Sequence, residues 1–289
     1  MTSRVRLLLA SSHPGPTVTV TVLATVIAAA SGHPLGPVVL VALAVLVGQL
    51  SIGLANDWID ADRDRAVGRT DKPLAQGLIS VGVVRGAALG TAAATVVLSL
   101  PLGSVSAIAH VVLVGAGWAY DAGLKRTAWS VAPFVLAFGL LPVVAVAAGD
   151  GRLPAWWAIA TGAVFGVAIH CTNVLPDLVD DEATGVRGFP HRLGLRVSGV
   201  VAFGSLVVAA LLVLGGQLLG GGQLLGGEPV RGAGAVLAVM GTVAVIALAG
   251  VGIRLVLTGP PTRTLFRLVI VASLVLVGEL GLAGARLVA

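Results

Sequence analysis

The chain has 289 residues, of which 57% are hydrophobic and 11% charged, and its mean hydropathy is +1.02. That composition excludes a soluble globular protein, because apolar runs consume most of the length. The net charge of +5 comes from basic residues scattered between those runs, which excludes a separate nucleic-acid-binding domain.

Crossing about 30 Å of hydrocarbon takes roughly 20 apolar residues in a helix. Nine runs are candidates, at about 16–31, 36–55, 80–100, 104–120, 129–148, 154–176, 197–219, 232–257 and 266–288. The first run lacks a convincing small-residue cleavage site and is read as a retained span, not a signal peptide. The expected fold is an all-α integral membrane protein, a single domain over residues 1–289 with nine transmembrane helices. With the N-terminus inside, the connections at 56–79, 121–128, 177–196 and 258–265 are cytoplasmic. Fifteen of the eighteen Lys and Arg residues then fall on that side, a strong positive-inside bias. An integral, multi-pass cell-membrane protein with cytoplasmic functional loops is expected.

The outer connections are short, except at 215–227, where GGQLLG occurs twice in tandem and predicts a flexible Gly-rich link. Trp129, Trp156 and Trp157 fall at span ends, where indoles anchor to the interface. His110 and His170 fall inside spans and are read as neutral, hydrogen-bonded packing residues. The single Cys171 excludes an intrachain disulfide framework.

Nine of the thirteen acidic residues lie in two inner connections. The first holds Asn56, Asp57, Asp60, Asp62 and Asp64, with Asp71 beyond; the second holds Asp177, Asp180, Asp181 and Glu182. Asn56, Asp60 and Asp64 recur every four residues, which on a helix makes one slowly drifting stripe. Asp177 and Asp181 repeat the spacing. All-oxygen ligation without His or Cys favours a hard cation, and Mg²⁺ suits a few carboxylates plus substrate phosphate. An EF-hand is rejected, because Arg65 stands where its Gly belongs and Asp71 where its closing Glu belongs. A transporter pathway fits poorly, since the acids gather at one face and do not run across the bilayer. Neither cluster has enough nearby positive charge in sequence to make an obvious ion-pair network, although Arg63 and Arg65 could partly serve. Lys72, Lys125 and Arg126, with Arg187 and Arg192, supply cations for a phosphate.

These residues resemble the signatures of the UbiA-type intramembrane prenyltransferases. Asn56, Asp57, Asp60 and Asp64 match N-D-x-x-D-x-x-x-D. Lys72-Pro73-Leu74-Ala75-Gln76-Gly77 matches R-P-L-x-x-G with Lys for Arg. Asp177, Asp181, Gly185 and Leu193-Gly194 match the second signature. Tyr120 and Lys125 stand one residue further apart than the family's Tyr-x-x-x-Lys. The resemblance implies nine helices around a central cavity, and transfer of an isoprenyl group from an allylic isoprenyl diphosphate. It implies Mg²⁺ held by Asn56, Asp60, Asp64, Asp177 and Asp181, with Asp57 and Asp180 as second choices. It also implies diphosphate contacts from Lys72, Lys125, Arg126 and Arg192, and Tyr120 beside the allylic carbon. The acceptor is expected to be a small, aromatic molecule. The alternative is a membrane terpene cyclase that uses the donor alone.

Overall fold

The computed structural model of the chain describes residues 3–175, 185–219, 229–259 and 263–289. Among them lie eleven α-helices: α1 Arg4–Ala10, α2 Pro14–Ala30, α3 Leu35–Ile59, α4 Ala61–Ala66, α5 Val81–Ser99, α6 Ser104–Ala122, α7 Ala132–Val146, α8 Trp156–Val174, α9 Phe189–Leu218, α10 Ala233–Thr258 and α11 Arg263–Ala283. Each of the nine expected spans corresponds to one of α2, α3 and α5–α11. Seven are long and apolar enough by themselves to cross a membrane. Of the other two, α2 joins α1 in a pair bent by 73°, and α7 is a shorter apolar helix.

Local sequence sets several boundaries. Pro14 and Pro133 stand in the first turns of α2 and α7, where a missing N–H costs nothing. Ser80 caps α5, its Oγ accepting from Val83 N–H at 3.4 Å. Gly194, at φ +75°, breaks α9 into a short first segment and a long main one, a backbone state that glycine adopts without penalty.

The long helices pack in sequence order around a ring. α3 packs against α2, α5 and α6, α7 bridges α6 and α8, α9 joins α8 to α10, and α11 returns to α2. With lipid on the outside, packing and close approach drive the association. Trp157 corrects one expectation: it is fully buried and is not an interface anchor. Gly216 makes room for it, since a Cβ there would lie 2.3 Å from the indole. Gly216 belongs to the first GGQLLG repeat, which corrects a second expectation. Residues 215–218 complete α9 and do not start a link, and Gln217 Nε2 donates to the Glu279 carbonyl at 3.2 Å. Residues 220–228 lie outside the described residues. Trp129 and Trp156 are exposed, as an interface role requires. His110 and His170 are buried and hydrogen-bonded to Ser99 and Ser130, at 2.8 and 2.9 Å.

Candidate active site

The first acidic stretch is helical almost throughout. α3 hands over to α4 through Asp60, whose N–H donates to the Asn56 carbonyl and whose carbonyl accepts from Asp64 N–H, at 2.9 and 2.8 Å. The four-residue bonding pattern continues across the junction, so Asn56, Asp60 and Asp64 stand in one stripe as their spacing predicts. Asp57, Asp60 and Asp64 are each 2% exposed. By contrast, Asp62 and Asp71 are exposed and pair with Arg65 and Arg69. Two hydrogen bonds from Arg69 hold the Asp71 carboxyl below the usual range, at about 2, against a smaller opposing effect of burial.

Carboxylates buried this deeply need partners, and distant segments supply them. The connection after α4 is pinned by Leu74, which sits in a small apolar cluster with Leu54, Ala55, Ala61, Ile79, Val84 and Ala88. Gly77, at φ +71°, turns the chain behind it. Lys72 is thereby aimed inward: Nζ lies 3.0 Å from Asp57 Oδ1, 2.8 Å from Asp64 Oδ2 and 3.3 Å from Asn56 Oδ1. Burial opposes its charge, but Asp57 and Asp64 outweigh that and raise its pKa above the ordinary lysine value. A 3₁₀ turn, Leu124–Arg126, follows α6 and sends Lys125 inward, with Nζ 2.6 Å from both oxygens of Asp60. Arg63 reaches Asp60 and Asp64 at 3.4 and 3.6 Å. The first cluster is therefore an ion-pair network, fuller than the sequence suggests: Arg63 serves it locally, as expected, Arg65 pairs instead with Asp62, and Lys72 and Lys125 arrive through tertiary contacts.

This ring borders a cavity of about 660 Å³. Asn56, Asp57, Asp60, Lys72 and Lys125 line its charged part; Leu113, Phe134, Phe138 and Leu141 line its apolar part. Tyr120 also lines the cavity, in T-shaped contact with Phe134 and His170 with ring centroids 5.0 and 5.7 Å away. One surface can thus hold an anion and the adjoining surface a hydrocarbon.

Two expected anion contacts are not brought to the cavity. Arg126 and Arg192 are exposed and do not line it. Asp177, Asp180 and Asp181 lie outside the described residues. The sequence reading also missed two side chains. Asp121, the last acid of α6, is 3% exposed and lies 2.6 Å from Asn56 Nδ2. A charge at the end of an apolar run, next to Tyr120, was the signal available. His13, in the elbow between α1 and α2, places Nε2 3.3 Å from Asp57 Oδ1. Nothing in its local sequence announces that contact.

The ring suits a hard cation in two respects. Asp57, Asp60, Asp64 and Asp121 bring four buried carboxylates against three cations, Lys72, Lys125 and Arg63, and Asp57 Oδ2 is buried without a hydrogen-bond partner. Against this, no three acidic, His or Cys side chains among the described residues converge enough to hold a metal by themselves. The ammonium groups of Lys72 and Lys125 stand between the carboxylates.

The sequence model of the UbiA prenyltransferase family matches residues 17–263, and the chain belongs to that family. It is 31% identical over 189 residues to the 4-hydroxybenzoate octaprenyltransferase of Ralstonia nicotianae, covering 63% of this chain and 61% of that one. It is 28% identical over 187 residues to the protein of the same name from Burkholderia multivorans, covering 63% and 62%. The chain therefore spans less than two thirds of the length of these curated relatives. Among solved structures, a UbiA homolog from Archaeoglobus fulgidus bound to GPP and Mg²⁺ superposes with a TM-score of 0.69 at 15% identity, over 96% of this chain and 99% of that one. The apo UbiA homolog from Aeropyrum pernix gives 0.67 at 16% identity, over 96% and 98%. These likenesses establish the fold, that of an all-helical integral membrane protein.

Proposed function

We propose that the chain is a Mg²⁺-dependent prenyltransferase that moves an isoprenyl group from an allylic isoprenyl diphosphate to an aromatic acceptor and releases pyrophosphate. The observation that carries this reading is the buried ring of carboxylates and lysines set directly against an apolar, aromatic cavity. The names of the curated relatives support a phenolic acid as acceptor, and the ligands of the Archaeoglobus homolog support the donor and the metal. Nine membrane spans, with the acidic loops facing the cytoplasm of a cell membrane, complete the proposal.

Asn56, Asp57, Asp60 and Asp64 would hold Mg²⁺ together with Asp177, Asp180 and Asp181 of the second motif. The metal's contribution is to neutralise charge that builds on the leaving diphosphate. Lys72 and Lys125, which line the same cavity, would bind the diphosphate alongside the metal. As the allylic C–O bond breaks, the electron pair leaves with pyrophosphate. The allylic carbon then forms a C–C bond to the acceptor ring, which loses a proton. The ring face of Tyr120 stabilises the cationic carbon. Phe134, Phe138 and Leu141 keep water from that carbon and prevent its capture as an alcohol.

The deciding assay uses protein in nanodiscs with Mg²⁺ and geranyl, farnesyl or geranylgeranyl diphosphate, read by mass spectrometry. Silence without acceptor, then a prenylated product and pyrophosphate on adding 4-hydroxybenzoate or another phenolic acid, is expected. Cyclic terpenes formed from the donor alone overturn the transferase reading in favour of a cyclase. Lys72→Ala should raise the donor KM roughly 10- to 100-fold, the loss of about 1.5–3 kcal/mol of charge-assisted bonding. The acceptor KM should stay unchanged; an effect confined to the acceptor would place Lys72 on the wrong substrate.

A further inference from the structure

Asn56 is the member of the ring whose function depends on which way its amide faces. Its two ends are chemically opposite, a carbonyl oxygen that can ligate a cation and an NH₂ group that cannot. Here Oδ1 faces the Lys72 ammonium at 3.3 Å, while Nδ2 faces Asp121 Oδ1 at 2.6 Å and, more distantly, Asp60 Oδ2 at 3.4 Å. Turning the amide over would set its oxygen against the Asp121 carboxylate and its NH₂ against an ammonium, two repulsive contacts in place of two attractive ones.

Asp121 is suited to hold that orientation. It belongs to the last turn of α6, 65 residues along the chain from Asn56, and is 3% exposed. Its nearest cation, Lys125, is 3.9 Å away and is engaged by both oxygens of Asp60 at 2.6 Å. The short contact of Asp121 is therefore spent on Asn56.

We propose that Asp121 is a positioning residue, whose carboxylate locks the Asn56 amide so that its oxygen is presented to the cation that binds beside the diphosphate. The proposal rests on the metal-dependent reading above. Asp121 also borders the cavity and adds to its negative charge, but in this role it acts through Asn56. This gives the buried acid a role distinct from those of Asp57, Asp60 and Asp64.

The test measures binding without turnover: the rise in melting temperature of nanodisc-embedded protein as Mg²⁺ is titrated in the presence of inorganic pyrophosphate. Asp121→Leu removes the acceptor oxygen and should raise the Mg²⁺ midpoint about 10- to 100-fold, the usual effect of losing a group that orients a metal ligand. Asp121→Asn keeps a carbonyl that accepts from Asn56 Nδ2, and should recover most of that loss. Asn56→Asp should impair the midpoint by setting two carboxylates together, and the exchanged pair Asn56→Asp/Asp121→Asn should restore it. If Asp121→Leu does not fold, the single exchange against the double one decides. A midpoint for Asp121→Leu within about twofold of the unaltered chain, or an exchanged pair no better than Asn56→Asp alone, overturns the proposal. No response from the unaltered chain instead overturns the metal reading beneath it.

Discussion

Asp60→Ala is expected to abolish pyrophosphate release while the protein still reaches the membrane. Asp60 sits at the helix junction, between Asn56 and Asp64, and takes both contacts of the Lys125 ammonium at 2.6 Å. Groups that merely orient metal ligands are worth about 10- to 100-fold, so a ligand itself should cost more. The alanine also strands Lys125 in a buried place, a loss of about 3–5 kcal/mol in comparable buried pairs. Asp60→Asn separates these two effects, since its amide oxygen still accepts from Lys125 but carries no charge for Mg²⁺. The asparagine variant should lose less of its melting temperature than the alanine variant, and lose turnover as fully. Asp181→Ala, in the second motif, should lose turnover likewise. Normal pyrophosphate release by Asp60→Ala and Asp181→Ala would sink the metal assignment.

Gly162→Val and Gly166→Val should each be among the most damaging substitutions outside the charged ring. Both glycines lie on one face of α8, four residues apart, and press onto backbone carbonyls of α7. A Cβ at Gly162 would lie 2.2 Å from the Phe138 oxygen, and one at Gly166 would lie 2.4 Å from that of Phe134. Glycine pairs at this spacing let membrane helices approach closely. Backbone cannot swing aside as a side chain can, so overpacking should reach the upper part of the usual ~1–3 kcal/mol range. A fall in melting temperature of about 5–10 °C is expected. Activity should fall too, because Phe134 and Phe138 wall the cavity. Gly204→Ala in α9 is the control, as nothing lies within 4 Å of its Cβ position. Equal melting temperatures for all three variants would show that α7 and α8 are not held this way.

What the sequence disclosed depended on distance along the chain. The Asn56, Asp60 and Asp64 stripe was legible because helical bonding maps a four-residue spacing directly onto one face. The positions of the long helices were legible for a similar reason, as hydrocarbon thickness fixes their length. Lys72 and Lys125 could be nominated by motif, yet their pairing with carboxylates spans up to 65 residues and has no local trace. Arg126 follows Lys125 directly, and the tight 3₁₀ turn sends one side chain inward and leaves the other exposed. Trp157 was misread because its partner, Gly216, lies on another helix within a segment that looked like linker. Asp121 went unremarked because a single acid has no spacing to measure.

The elbow that carries His13 also bears on how the protein can be handled. The Ser12 carbonyl stands where a Cβ on Gly53 would fall, 2.2 Å from it, and Thr17 Oγ1 donates to that same carbonyl at 2.9 Å. Gly53 lies one turn before Asp57, so the start of the chain is wedged against the helix that bears the acidic stripe. Ser12, His13 and Pro14 line the cavity itself. A purification handle or fluorescent fusion placed ahead of Arg4 is thus leashed to the cavity lining by a single short helix. One placed after Ala289 pulls instead on the strand-like contact between Pro154 and Val288, outside the segments that carry the charged ring.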